Sequence, residues 1–329
     1  MKNLRPAFAL LLLLLLLPSD ARAALYADVP ERHWASAAIE RSSHLALIGG
    51  LGDGRFAPER PVTRAEYATM LCRLMGWEPV SPAQGSFDDN QNPQKWYYTA
   101  IETAYAHGAL RKLGANAGVL DVLTREELAV MTVRALGYTT LAGMVQDDCP
   151  FADVSTNRGY ITLAYRMGFM GGTGGGAFRP GLAADRAQAA TVMLRVYDAQ
   201  RGYIAQLEAE EPPAGAVTVT PLNERGGALP MCPRAPLAEV YRSCVAAGRA
   251  GAVALHTAAL DCVTSRLLTP QELDAALRGG EVPVYRSTRH ESSYAVLDKT
   301  VVWFEGPADI EAKIALCRLM GVGAVYLVP

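Results

Sequence analysis

Small and apolar residues at Ala35, Ala38, Ile39, Ser42 and Leu45 recur three and four positions apart, and so do Tyr67, Met70, Leu71 and Leu74. That spacing puts each set on one face of a helix. The same helix, loop, helix pattern returns twice more. The first copy opens on Tyr26-Ala27-Asp28-Val29 and His33-Trp34, passes a glycine-rich turn from Gly49 to Gly54 and Phe56-Ala57-Pro58, and reaches Val62-Thr63-Arg64-Ala65-Glu66. The second opens on Phe87-Asp88-Asp89 and Trp96-Tyr97 and reaches Leu123-Thr124-Arg125-Glu126-Glu127. The third opens on Phe151-Ala152-Asp153-Val154 and Gly159-Tyr160, crosses a glycine loop from Gly171 to Gly176 and Phe178-Arg179-Pro180, and reaches Ala184-Asp185-Arg186-Ala187-Gln188. Arg64, Arg125 and Arg186 are evenly spaced, as three copies of one unit require. A pair of helices with one apolar face each cannot bury both alone, so the three units are expected to share one core. Gly76, Gly137 and the Tyr197-Asp198 region mark the expected ends of the second helices.

Beyond residue 200 the pattern changes. Glu208-Ala209-Glu210-Glu211-Pro212-Pro213 reads as a short acidic, stiffened linker. After it, strands are expected at 217–219, 252–256, 282–285, 294–297, 300–304 and 324–327, and helices at 237–250, 270–277 and 308–320, with Thr269 as a cap. Such alternation indicates an α/β layer arrangement. The expected organisation is an amino-terminal segment 1–23, repeats at 24–78, 84–140 and 148–200, a linker at 201–213 and a small α/β domain at 214–329.

The ends and the composition narrow the setting. Lys2 and Arg5 precede an apolar run from Ala7 to Leu17, then Pro18 and Ala21-Arg22-Ala23, the pattern of a secretory signal peptide with cleavage expected after Ala23. The run is shorter than the roughly 20 apolar residues a membrane span needs. Apolar residues make up 50% of the chain, enough to build cores. Lys and Arg number 31 against 33 Asp and Glu, a net charge of -2 that gives no field to attract nucleic acid. Six cysteines (Cys72, Cys149, Cys232, Cys244, Cys262, Cys317) form no CxxC pair, and the five histidines show no ligand spacing, so neither a metal nor a cofactor is expected. Cys72 and Cys317 fall within apolar helical patterns and read as buried thiols.

The Phe-x-Pro loop followed by Thr-Arg-Ala-Glu opening a helix, repeated in register over about residues 24–200, resembles the S-layer homology family. The resemblance implies an all-α, pseudo-threefold helical module of three repeats. It also implies a partner, a secondary cell-wall polysaccharide, often bearing a pyruvylated sugar, bound in grooves between units. It implies a location outside the cell, on the wall.

Thr63 with Glu66, and Thr124 with Glu127, read as capping boxes, and Asp185 with Gln188 as a variant of one. Capping does not account for the arginine. A cation in the first helical turn opposes the helix dipole, so its presence in three copies suggests recruitment. Beside exposed helix amides, a guanidinium fork suits a carboxylate such as a pyruvyl acetal. Arg64, Arg125 and Arg186 are therefore candidate ligand residues, with an ion pair to a neighbouring unit as the alternative. Trp34 and Trp96 are candidates for stacking on a sugar, although core packing is the better reading of either alone. Asp53 and Gly54 lie in a loop whose backbone could approach a saccharide closely. The second repeat lacks the Phe-x-Pro turn and carries Leu110-Arg111-Lys112-Leu113, and the third replaces Thr by Asp185, so equal occupancy of the grooves is not expected.

Val301 to Glu305, Ile310 to Lys313 and Gly321 to Val325 resemble the last strand, helix and strand of family-18 glycoside hydrolase barrels. The acidic motif of that family has no match here, and about 115 residues fall short of a barrel of about 250. The expected function is thus anchoring to the wall and display of a non-catalytic carboxy-terminal domain. A wall-directed glycosidase is the alternative, with Asp261, Glu272, Glu291 and Glu305 as its available acids. Glu305, before Gly306-Pro307, reads as turn chemistry.

Overall fold

The computed structural model describes residues 25–112, 114–219, 233, 235–297 and 300–329. The expected signal peptide and Cys232 lie outside the described residues. The protein is a mixed α/β structure with a helical amino-terminal region. That region contains α1 (Ser36–His44), α2 (Arg64–Met75), α3 (Tyr98–Ala106), α4 (Arg125–Ala135), α5 (Thr139–Met144), α6 (Arg158–Arg166) and α7 (Arg186–Arg201). The pairing of faces follows the apolar spacing: Ile39 and Ser42 of α1 are buried, and so are Tyr67, Met70, Leu71 and Leu74 of α2. Helix α2 stops where Gly76 takes the left-handed conformation. Helix α7 continues past the expected end near Tyr197 to Arg201, because no glycine interrupts it before Gly202. Its Asp198 accepts two hydrogen bonds of 2.7 Å from Arg41, tying the last helix to the first.

The carboxy-terminal region forms two sheets. Strands β1 (Ala205–Glu208), β2 (Val217–Thr218), β3 (Ala252–His256) and β9 (Ala324–Val328) make a parallel sheet in the order β1-β9-β3-β2. Strands β4 (Ala259–Asp261), β5 (Arg266–Leu268), β6 (Val284–Ser287), β7 (Ser292–Leu297) and β8 (Thr300–Phe304) make an antiparallel sheet in the order β5-β4-β8-β7-β6. Helices α8 (Leu237–Ala247), α9 (Pro270–Ala276) and α10 (Pro307–Leu319) complete the set, α9 opened by a Thr269–Glu272 capping box.

Three expectations change here. Part of the expected linker, residues 201–213, is the edge strand β1, because β9 offers a free edge in register with Ala205 to Glu208; the chain leaves the sheet only as Pro212 and Pro213, which cannot donate, approach. The last strand, helix and strand are present, but β8 lies in the antiparallel sheet and β9 in the parallel one, so they are not the adjacent parallel strands that close a barrel. Glu305 is not a turn residue in solvent: it is buried and paired with Lys313.

One hydrophobic core runs from the helices into the parallel sheet, linking Val196 and Ile204 to Tyr241, Cys317 and Val325. The antiparallel sheet has a small core of its own around Ala259, Leu268 and Val302. Cys244 and Cys317 are buried with their sulfurs 3.5 Å apart, and Cys72 is half-buried. No helix among the described residues is long and apolar enough to cross a membrane.

Candidate functional site

Each of α2, α4 and α7 begins at a polar cap. Thr63 and Thr124, in extended conformation, accept from the amides of Glu66 and Glu127, whose carboxylates accept in return from the cap amides at 2.9 and 2.8 Å. Asp185 accepts from the Gln188 amide at 2.7 Å, and Gln188 Nε2 donates back to its carboxylate. Just before these caps the three segments meet. Val62 N–H donates to Ala184 O at 2.9 Å, Ala184 N–H to Leu123 O at 2.8 Å, and Leu123 N–H to Val62 O at 2.9 Å. Each segment thus gives one hydrogen bond and takes one, and the circuit closes.

The first two amides of each helix also reach across. Arg64 and Ala65 donate to Asp121 O and Val119 O, Arg125 and Glu126 to Leu182 O and Pro180 O, and Arg186 and Ala187 to Arg60 O and Pro58 O. Helix amides that would otherwise be orphaned are satisfied by carbonyls of the next segment's loop. The amides expected to stay open for a carboxylate are therefore occupied by backbone.

The arginines follow the same path. Arg64 Nη1 donates to Ala117 O at 3.0 Å and Gly118 O at 2.6 Å, and Nη2 pairs with Glu127. Arg125 donates to Phe178 O at 3.0 Å, Gly171 O at 2.7 Å and Gln188 Oε1 at 3.1 Å, with its guanidinium 4.7 Å from the Phe178 ring centroid. Arg186 donates to Phe56 O at 2.8 Å and Gly49 O at 2.6 Å and lies 4.6 Å from the Phe56 ring centroid. The arginine of one segment holds the loop of the next, and the third closes on the first. These carbonyls answer the question of why a cation sits in the first helical turn: local acceptors outweigh the unfavourable dipole. Arg125 and Arg186 are buried, which lowers both from the ordinary arginine range, while 15% of the Arg64 side chain is exposed.

The loops are held from their own side by three aspartates. Asp28 accepts from the amides of Phe56 and Ala57 at 2.8 and 2.7 Å, Asp89 from Ala117 and Val119 at 2.8 and 3.0 Å, and Asp153 from Phe178 and Arg179 at 3.0 and 2.7 Å. For Asp28 and Asp89 burial raises the carboxyl pKa, but the amides outweigh it; all three stand below the usual carboxylate range. Nothing local to Asp28, Asp89 or Asp153 in the sequence names this role. Their recurrence at the head of each copy was the available signal.

The other candidate residues are spread out. Trp34 and Trp96 are 64% and 62% exposed, so neither plugs the core. Trp34 packs beside His33 and Trp96 edge-on against Tyr97, at the mouths of α1 and α3. Asp53 accepts from Arg55 N and Nε at 3.1 and 2.8 Å in an exposed turn, and Gly54, with φ 79°, accepts from Ala27 N through its carbonyl. Arg64 lines an open groove, of about 490 Å³, together with Arg111, Arg134, Asp121, Glu127 and Asn157. Arg111 has no hydrogen-bond or ion-pair partner among the described residues, and Arg134 lies 5.1 Å from the Tyr160 ring centroid. Arg111 stands in the stretch by which the second repeat departs from the other two.

The four acids of the carboxy-terminal region each have their own partner. Asp261 accepts from the Val263 and Thr264 amides, Glu272 caps α9, Glu291 pairs with Arg286, and Glu305 with Lys313. Among the described residues there is no group of three or more His, Cys, Asp or Glu arranged to hold a metal.

Residues 25–68 and 150–190 match the S-layer homology domain. An amylopullulanase of Thermoanaerobacterium thermosulfurigenes is 31% identical over 172 residues, 49% of this chain and 9% of its own length. A cellulosome-anchoring protein of Acetivibrio thermocellus is 33% identical over 137 residues, 40% of this chain and 30% of its own. The S-layer protein sap of Bacillus anthracis is 28% identical over 123 residues, 37% of this chain and 15% of its own. The chain thus spans less than a third of the length of each of these relatives. The matched segments hold the capped starts of helices α2 and α7 and their crossed loops, so the chain carries S-layer homology domains over these residues.

Proposed function

We propose that residues 24–200 are three S-layer homology units closed into a pseudo-threefold module, and that this module holds the protein on the bacterial cell wall by binding a secondary wall polysaccharide. The observation that carries the reading is the groove beside Arg64. A cavity of saccharide size stands open beside a guanidinium that keeps 15% of its side chain in solvent, and Arg111 adds a cation with no partner among the described residues. Two guanidinium groups flanking a cleft suit an anionic sugar substituent, a pyruvyl carboxylate included. Arg125 and Arg186 serve first as clamps on the adjoining loops, so their grooves open to ligand only if the clamp yields. Trp34 and Trp96, exposed at the module surface, offer faces on which a sugar could stack, and the Asp53-Gly54 turn offers backbone. Export by cleavage after Ala23 delivers the chain to the wall, and the α/β region is displayed there. The cellulosome-anchoring and S-layer relatives support this placement by their names.

Sedimentation with purified sacculi tests the proposal. The protein should pellet with sacculi that retain their secondary polymer and remain in solution with sacculi stripped of it. Arg64→Ala with Arg111→Ala should weaken binding by about tenfold or more, as loss of a charge-assisted contact of about 1.5–3 kcal/mol requires. Equal pelleting with both kinds of sacculi would overturn the reading.

A further inference from the structure

A second cleft, of about 740 Å³, opens at the seam between the helical region and the parallel sheet, away from the Arg64 groove. Its walls are the carboxy-terminal ends of α6 and α7, the turn after α8 and the turn after α10. Three arginines line it: Arg195, Arg249 and Arg318. Arg195 is anchored on Phe169 O at 3.1 Å. The Arg249 guanidinium lies flat against two glycines, where a Cβ on Gly168 or on Gly321 would stand 3.0 Å from it. The Arg318 stem runs past Gly202. Neither Arg249 nor Arg318 has a hydrogen-bond or ion-pair acceptor among the described residues. Asp198, the carboxylate in the lining, is already neutralised by two bonds from Arg41.

Part of this charge has a local explanation. Helices α6, α7, α8 and α10 end here, and each carboxy terminus carries roughly half a negative charge. Four such ends offset about two of the three cations. The excess is positive, held in a concave site, and edged by Tyr165 and by Tyr203, whose side chains are exposed.

The geometry points to a binding site for an anionic glycan at this seam, separate from the groove of the proposed function. The guanidinium groups of Arg249 and Arg318 take its carboxylate or phosphate substituents, and Tyr203 or Tyr165 takes a sugar face. Guanidinium forks match planar and tetrahedral oxyanions with paired bonds, and a tyrosine at an open rim presents an apolar face with a polar tip.

Calorimetric titration of the purified chain at low salt tests the site, with oligogalacturonate as the carboxylate probe, glycerol-phosphate oligomers as the phosphate probe and maltooligosaccharide as the neutral control. Saturable binding of at least one acidic probe and none of the neutral one is expected. Arg249→Ala with Arg318→Ala should weaken it about tenfold or more. Tyr203→Ala, at an exposed position that leaves folding intact, should weaken it less. An Arg64→Ala with Arg111→Ala background, which removes the wall-binding groove, should retain saturable acidic-probe binding, and adding Arg249→Ala with Arg318→Ala to it should then abolish that binding. The tighter of the two acidic probes identifies the substituent. Unchanged affinity in the double arginine variant, equal affinity for the neutral oligomer, or no saturable binding of either acid would overturn the inference.

Discussion

Replacing Arg186 by alanine should cost far more stability than replacing Arg64, although the two occupy the same place in the repeat. Arg186 is 4% exposed and donates to Phe56 O, on a residue that is itself fully buried. That carbonyl cannot regain its bond from water, so its loss costs about 1.5–3 kcal/mol. The guanidinium also leaves the face of the Phe56 ring, a contact of about 0.5–2 kcal/mol. Its third contact, to Gly49 O, lies at an exposed residue where water can take over. The expected loss is about 2–5 kcal/mol, centred on the closure between the third segment and the first. Arg64 has no ring beneath it, and its acceptors at Ala117, Gly118 and Glu127 are half-exposed, so about 1–2 kcal/mol is expected there. Urea unfolding followed by far-ultraviolet circular dichroism measures both. If Arg186→Ala shifts stability by less than about 1 kcal/mol while abolishing wall binding, Arg186 is a ligand residue and the clamp argument fails.

Two further outcomes follow from buried charge. Lys313 is buried against Glu305 and Ser292, with Ser292 Oγ 2.8 Å from Nζ and 2.9 Å from Glu305 Oε1, so Lys313→Met leaves an acid unpaired in the interior and should cost about 3–5 kcal/mol. Adding Glu305→Leu should recover most of it, and a double variant no more stable than the single one would show that the pair is not the source. Stability should peak at mildly acidic pH. Burial pushes Glu305 up to about 7, against the attraction of Lys313, so its contribution is full below the unfolded value near 4.5 and is lost as pH rises through 7. Asp28, Asp89 and Asp153 are held below 3.8 by loop amides, so their contribution is present above that value and is lost as pH falls through their folded values. Melting temperatures measured across this range check both slopes; a Glu305→Gln variant that keeps the fall between pH 4.5 and 7 would place its origin elsewhere.

The sequence by itself determined the local structure. Apolar spacing located the helices, Thr63, Thr124 and Asp185 fixed where three of them begin, and most strands of the last third fall within two residues of their expected bounds, because capping and amphipathic patterning act over a few neighbouring residues. It also carried the repeat, and with it the resemblance that the family match supports. What it could not supply was anything set by a partner far along the chain. The acceptors that hold Arg125 and Arg186 are carbonyls 46 to 137 residues away, and backbone carbonyls leave no mark in the side-chain pattern. The edge strand Ala205–Glu208 looked like a linker because its stability comes from β9, more than a hundred residues later. Trp34 and Trp96 looked like core residues because large aromatics usually are; only the packing around α1 and α3 leaves them in solvent. Glu305 was legible as a residue before a Gly-Pro turn, but its burial depended on Lys313, two turns into α10, reaching back to it from the buried face of that helix. The groove at Arg64 and the arginine seam are likewise tertiary: each gathers charges from segments that sequence spacing keeps apart, and only the closed fold decides which of them find partners and which remain open to a ligand.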